Sequence, residues 1–250
     1  MRTIQIALTG DLDEDVVAHR AIPRALQLAA AAVGCRVAAR WVPTTDLVPD
    51  AASTLDSFDG HWCVPGSPYA SEKGALAGIA DSRATGRPYL GTCAGFQHAI
   101  LEYARDVLGV ADAAHEETDP GAASPVVSRL ACALVERDGR VRFAPGSRIA
   151  RAYGRAAAVE GYHCSYGLNP EYGRALERAG LAMTALDDDG AVRAVEIPSH
   201  PFFVATLFQP ERSALAGFQP HPLIAAFVEA ARVHAAGPES RVDRGAAFTA

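Results

Sequence analysis

Cys93 stands in the run Gly91-Thr92-Cys93-Ala94-Gly95, between a short apolar approach, "PYL" (88–90), and a helical pattern, "FQHAILEYARDVLG" (96–109). That layout lifts a thiol onto a sharp strand-to-helix turn. Glycines on both sides let the backbone turn where a Cβ would clash. The N-terminus of the following helix presents free N–H groups and a positive dipole end, which favour a thiolate and a developing oxyanion. The chemistry indicated is nucleophilic attack by sulfur, and it requires a positive φ at Cys93. A cysteine that merely packs in a core fits the same five residues, so the rest of the chain must decide.

The elements that would position this turn alternate. "TIQIALTG" (3–10) reads as a buried strand, and "AHRAIPRALQLAAAAVG" (18–34) as an Ala/Leu-rich helix ending at Gly34. "CRVAARWVP" (35–43) and "SFDGHWCVPGSP" (57–68) read as strands, the second stopping in a Pro-Gly-Ser-Pro turn. "SEKGALAGIADSRATG" (71–86) is a helix closed by glycine. This β-α-β-β-α-β-α order predicts an α/β fold with a mostly parallel sheet. Further on, Asp138-Gly139 is a hairpin signal and Asp189-Gly190 a second turn. "FFVATLF" (202–208) is an apolar strand and "HPLIAAFVEAARVHA" (221–235) a final helix. The chain reads as one domain over 1–235, with 236–250 a loose polar tail.

Bulk properties narrow the function. With 250 residues, 49% hydrophobic and 21% charged, the chain can bury a sizeable core. A net charge of -6 without a basic stripe gives nucleic-acid binding no support. Five widely spaced cysteines without a CxxC argue against a disulfide framework or zinc site and suit a reducing cytosol. No metal and no cofactor are expected. There is no signal-peptide pattern and no apolar run long enough for a membrane span, so a cytoplasmic location is the expectation. Asp187-Asp188-Asp189-Gly190 lacks the later glutamate of a calcium loop and reads as a solvated turn. His200 and His221 each precede proline and read as structural; His98 reads as a surface or packing residue; Cys35, Cys63 and Cys132 read as buried fillers in strands.

"PYLGTCAGFQ" (88–97), "VPGS" (64–67), "EETDP" (116–120), and "HPFFVATLFQPE" (200–211) followed by "GFQPHPLIAAFVEAA" (217–231) are the segments that carry a likeness. Together they resemble the class I glutamine amidotransferases, and more narrowly the C-terminal glutaminase domain of CTP synthase and stand-alone proteins related to it. The corresponding family segments read close to PYLGICLGMQ, VPGG, STEFDP, HPWFVACQFHPE and DGHPLFAGFVKAA, in the same order along the chain, and the likeness spans about residues 3 to 235. The resemblance implies a flavodoxin-like α/β fold, with helices on both faces of the sheet and an added antiparallel segment. It also implies a Cys-His-Glu triad that attacks a glutamine amide through a thioester and releases ammonia. Carried over by residue, it places Cys93 at the nucleophile and the N–H groups of Ser67 and Ala94 at the oxyanion hole. It places Gly66, Gln97 and Glu117 against substrate and Glu211 at the triad acid.

The departures from that pattern carry as much information. Gln209 stands where the family has histidine, and an amide can neither take the thiol proton nor protonate ammonia. In "VEGYHCSYGLNP" (159–170), against the family's VERHRHRYEVNN, the carboxylate-binding arginine aligns with Ser165 and the next acidic position with Gly167. Loss of that arginine removes about 1.5–3 kcal/mol per charge-assisted hydrogen bond. The pocket should therefore be wider and less positive there. His163 is a candidate substitute base, Cys164 a candidate second thiol, and "YHCSY" (162–166), with Ser165 and Tyr166, the expected pocket wall. The function expected is a cysteine enzyme acting on an amide or acyl substrate other than free glutamine. The alternatives are a catalytically silent homologue that binds a ligand or partner, or a residual glutaminase feeding ammonia to a separate synthetase. A second copy of this chain is a further candidate partner; nucleic acid and membrane are not. CTP synthesis is not expected of this chain alone.

Overall fold

The computed structural model describes residues 2–217 and 219–237. From the N-terminus the chain runs β1 (Thr3–Thr9), α1 (Val17–Val33), β2 (Arg36–Val42), α2 (Ala51–Leu55), β3 (Gly60–Cys63), α3 (Glu72–Thr85), β4 (Tyr89–Thr92) and α4 (Ala94–Asp106). It continues through β5 (Val127–Phe143), α5 (Arg148–Tyr153), β6 (Ala157–Leu168), α6 (Pro170–Arg178), β7 (Ala182–Leu186), β8 (Val192–Glu196), β9 (Phe203–Thr206), α7 (Ser213–Ala216) and α8 (Pro222–Ala235). The nine strands form one sheet in the order β2-β1-β3-β4-β9-β8-β7-β5-β6. The first five of that order are parallel, and every later pairing is antiparallel. The 2-1-3-4 opening is the doubly wound order in which ligands bind beyond the carboxyl ends of the strands.

Local chemistry sets the ends of these elements. Ser71 caps α3 by accepting the Gly74 N–H, and Asn169 caps α6 by accepting from Glu171. His221 caps α8 through its ring nitrogen, ahead of Pro222 in the first turn. His200 accepts the Phe202 N–H at one ring nitrogen and meets the Ser82 carbonyl with the other, which ties the loop before β9 to the end of α3. Both histidines are structural, as their sequence context suggests. No described helix is long and apolar enough to cross a membrane.

Several expectations need correction. Asp138-Gly139 makes no hairpin. It runs inside β5, with Asp138 opposite Gly161 and Gly139 opposite Glu160. A Cβ at Gly139 would meet the Tyr162 ring at 3.2 Å, a tight contact that the ring must yield to by a few tenths of an ångström. The Asp189-Gly190 turn does form: the Asp187 carboxylate accepts the N–H groups of Asp189 and Ala191. The third strand covers only Gly60–Cys63, because the chain leaves the sheet at the Pro-Gly-Ser-Pro turn. His98 is buried, donating from Nδ1 to the Ala94 carbonyl. Cys63 is a buried filler, but Cys35 is half-buried between α1 and β2, and Cys132 is exposed where β5 departs from its ladder. Most of the expected tail, 238–250, lies outside the described residues.

The tightest backbone approach around the elbow seats α4 on the sheet. A Cβ at Gly95 would lie 2.1 Å from the Cys63 carbonyl oxygen, and one at Gly91 2.7 Å from the Gly95 oxygen. Gly95→Ala is therefore expected to cost at least about 3 kcal/mol, because backbone must move. That corresponds to a melting temperature lower by about 6 °C or more. Gly173→Ala, in α6 with open space around it, should be neutral or stabilising by about 0.5–1 kcal/mol. Equal melting temperatures for the two variants would refute the packing argument.

Candidate active site

Cys93 has φ +52°, a left-handed value on a non-glycine residue, and sits between β4 and α4. Its N–H donates to the Thr206 carbonyl at 2.9 Å, and its own carbonyl accepts from the N–H groups of Phe96 and Gln97. The thiol is thus held on a strained elbow at the carboxyl end of the parallel strands. Ala94 opens α4, so its N–H lies among those with no acceptor inside the helix. The turn that carries Gly66 and Ser67 is fixed from below by His19, a residue that sequence reasoning passed over. His19 Nε2 donates to the Pro65 carbonyl at 2.7 Å, while Nδ1 accepts the Asp13 N–H at 3.0 Å.

A cavity of about 500 Å³ opens over Cys93. Its walls include Gly66, Ser67, Gln97, Glu117 and Gln209, together with the 163–166 stretch of β6. Strand β6 is the far edge of the sheet, yet it curls back over the ends of β4 and β9. The Gln209 N–H donates to the Gly161 carbonyl at 2.9 Å, and Gln97 Nε2 donates to the Tyr166 carbonyl at 2.9 Å. Alternation along β6 turns Tyr162 and Cys164 inward and His163 outward. Cys164 thereby meets Cys93: the two sulfurs are joined, with Cα atoms 6.3 Å apart and a sequence separation of 71. This corrects the expectation drawn from cysteine spacing and bears out the reading of Cys164 as a second thiol near Cys93. Cysteine spacing carries no trace of it, because a tertiary curl makes the pair.

Gln209 is buried beside Cys93, within 3.5 Å of an Arg212 nitrogen that its Oε1 accepts from. Glu211 is fully buried, and neither carboxyl oxygen makes a hydrogen bond of good geometry among the described residues, although the Thr92 hydroxyl lies close enough to favour its charged form slightly. Burial pushes its carboxyl up to about 8, so it is largely a neutral acid at pH 7. The His163 imidazole does not rest on Cys93; the His163 main-chain carbonyl does, at 3.5 Å from Sγ. The ring binds Glu136 through Nδ1 at 2.7 Å. Glu136 is the extra residue of a bulge in β5, at φ +48°, between the pairs Val135–His163 and Arg137–Tyr162. Arg212 grips the same carboxylate at 2.7 and 2.8 Å. Those hydrogen bonds, Arg212 first and His163 second, hold the Glu136 carboxyl below the usual range.

Other groups behave differently from expectation. Gln97 lines the cavity and is also hydrogen-bonded within the protein: its Oε1 accepts from His115 Nε2 at 3.2 Å, and its amide nitrogen donates to the Tyr166 carbonyl. Burial drives His115 down to about 3, so it is neutral. Its Nδ1 accepts the Glu117 N–H, which sets that loop on the cavity wall with one Glu117 carboxyl oxygen buried and unpartnered. The pocket is not widened at Gly167, whose space is filled by Leu130 and Leu207. Nor does the wall lack positive charge. Arg129 lies on it, 5.0 Å over the Tyr166 ring, with one guanidinium nitrogen donating to the Tyr166 hydroxyl at 2.8 Å. Arg129, Glu136, Arg212, His19 and His115 had no motif to announce them.

The family model for glutamine amidotransferase class-I matches residues 18–230. The chain belongs to this family. Among relatives, it is 32% identical over 241 residues to the CTP synthase of Saccharolobus solfataricus and 34% identical over 236 residues to that of Archaeoglobus fulgidus. These alignments take in 92% and 90% of this chain but only 45% and 44% of the relatives, so the chain spans less than half their length. Among solved structures, the glutaminase domain of Trypanosoma brucei CTPS with bound acivicin superimposes with a TM-score of 0.82 at 26% identity. That match covers 92% of this chain and 94% of that one. A glutamine amidotransferase from Methylobacillus flagellatus, 13% identical with a TM-score of 0.55, shares the fold over 93% of this chain and 92% of its own.

In this class I amidotransferase, Glu211 supplies a pH test of the site. Unfolded, its carboxyl ionises near the ordinary value of 4.5; folded, it keeps its proton until about 8. Between those limits the folded state binds more protons than the unfolded state, so this group makes stability fall as pH rises. Glu211→Gln removes that contribution. In urea unfolding at pH 5 and pH 8, the variant should gain on the wild type by a few kcal/mol, in order of magnitude, as pH rises. An unchanged difference between them would mean that the carboxyl is solvated or paired.

Proposed function

We propose that this chain is a cysteine enzyme that acts on an amide or acyl group in a substrate other than free glutamine, with Cys93 as nucleophile. One observation carries the reading: on the wall above the elbow thiol stands a histidine–carboxylate pair, His163–Glu136, while the neighbouring Gln209 cannot move a proton. The pair has the chemistry of a base and its orienting acid. Glu136 occupies Nδ1 of the imidazole, which leaves Nε2 to take a proton through a water in the cavity. The bulge and Arg212 hold Glu136 in place for this role. The N–H groups of Ser67 and Ala94 would receive the oxyanion. Glu211, neutral and out of solvent, takes no part in this version of the reaction.

Arg129 favours a second reading. It lies on the cavity wall, and its guanidinium, bonded to the Tyr166 hydroxyl, makes no ion pair with a carboxylate among the described residues. A substrate carboxylate could dock there, as a residual glutaminase serving a separate synthetase would need. In either reading Cys93 must be a thiol, as a reducing compartment such as the cytoplasm would keep it.

The test is hydrolysis of a small activated acyl ester and ammonia release from glutamine, both on protein kept reduced. Cys93→Ala should abolish ester hydrolysis. His163→Ala and Glu136→Gln should each lower kcat by about 10²- to 10⁴-fold, the usual worth of a general base and its orienting group. Ammonia release from glutamine should stay at background. A robust glutaminase rate that survives His163→Ala would overturn the proposal.

A further inference from the structure

We propose that Cys93 and Cys164 are a reversible dithiol–disulfide couple, in which Cys93 reacts with a hydroperoxide and Cys164 resolves the product. The couple does not depend on the amide chemistry above. Its Cα separation of 6.3 Å lies within the span that disulfides occupy. Both residues are held by main-chain hydrogen bonding: Cys93 by the elbow, Cys164 by the β6 ladder opposite Leu134. The bond thus joins two positions whose backbones are each fixed by hydrogen bonds. Each sulfur also lies near a main-chain acceptor, His163 O at 3.5 Å for Cys93 and Leu207 O at 3.3 Å for Cys164, so both thiols have a partner when reduced.

The two cysteines are not equivalent. Cys93 heads the 13-residue helix α4, whose N-terminus favours a thiolate, and it faces the cavity, whose lining carries Arg129 and Arg212 together with Asp15, Glu117 and Glu136. Cys164 is buried against β9's end. Cys63, by contrast, is sealed in the core beside the Tyr69 hydroxyl, and burial pushes its thiol up to about 12. Cys132 is exposed but has no cysteine bonded to it.

The reaction runs in two steps. The Cys93 thiolate attacks the distal oxygen of ROOH; a sulfur–oxygen bond forms, the O–O bond breaks and RO⁻ leaves as ROH, so sulfur is oxidised to the sulfenic acid and the peroxide reduced. Cys164 sulfur then attacks Cys93 sulfur; the S–S bond forms, the S–O bond breaks, and hydroxide leaves with the Cys164 proton as water. In sum, two thiols and one hydroperoxide give one disulfide, one alcohol and one water. A dithiol reductant returns both thiols by exchange. The disulfide removes the Cys93 nucleophile, so the oxidised protein cannot form a thioester.

The test uses fully reduced protein titrated with hydrogen peroxide under argon. One equivalent should lower the free thiols from five to three, leaving Cys35, Cys63 and Cys132. It should also lower the intact mass by about 2 Da, with dithiothreitol restoring both readings. Peptide mapping should find the 93–164 crosslink. Cys164→Ser should trap the Cys93 sulfenic acid with a dimedone probe, and Cys164→Ala gives the same readout if the serine variant does not fold. Mass gains of about 16 or 32 Da on Cys93 with Cys164 still free would overturn the proposal, as would oxidation confined to Cys132. Ester hydrolysis by the reduced protein is read separately, so failure of the amide reading leaves this result interpretable.

Discussion

Everything at this site depends on how closely the backbone of α4 approaches the sheet. Gly95 rests on the Cys63 carbonyl where even a methyl group has no room, and Gly91 is packed against the Gly95 carbonyl in the same way. Tyr89 adds a hydrogen bond from its hydroxyl to that same Gly95 carbonyl, at 2.9 Å. With the helix seated this low, Cys93 must reverse the chain within a single residue, and the left-handed φ follows. The strain raises the thiol above the strand ends and points the first N–H groups of α4 at the space beside it. Nucleophile position, oxyanion donors and thiolate-favouring dipole therefore share one steric cause.

The second constraint is the curl of the sheet. In the ladder, β6 is separated from β9 by β8, β7 and β5. Hydrogen bonds from Gln209 to Gly161 and from Gln97 to Tyr166 nevertheless close the gap. The curl turns an edge strand into a roof over Cys93. It also converts strand alternation into chemistry: the inward residue, Cys164, reaches the thiol, and the outward residue, His163, reaches the bulged Glu136. One register step along β6 would exchange these two side chains.

Charge and protonation follow from the same geometry. Glu211, sealed from solvent, holds a proton near neutral pH, while Glu136, in solvent and gripped by Arg212, is ionised. The carboxylate able to orient a base is thus the one on the bulge, and the buried one has become an uncharged packing group. His98, on the buried face of α4, and His115 beside it are both lowered by burial, so neither adds charge there.

By itself the sequence determined the parallel half of the fold and the elbow. Those features are local: strand and helix periodicity, a glycine at a helix end, and glycines two residues either side of Cys93 each act within a few positions. The match of "VPGS", "EETDP" and "FQPE" to family segments extended that reading to Ser67, Glu117, Gln209 and Glu211. Only the tertiary structure decided the rest. Asp138-Gly139 carries hairpin chemistry, but pairing with β6 and the Tyr162 ring overrode it. Gly167 reads as vacated space until Leu130 is seen filling it. The joining of Cys93 to Cys164, the pairing of His163 with Glu136 and the placing of Arg129 on the wall all span long stretches of sequence. They arise because a twisted sheet of nine strands curls its edge over its centre, a property of the assembled ladder that no local run of residues contains.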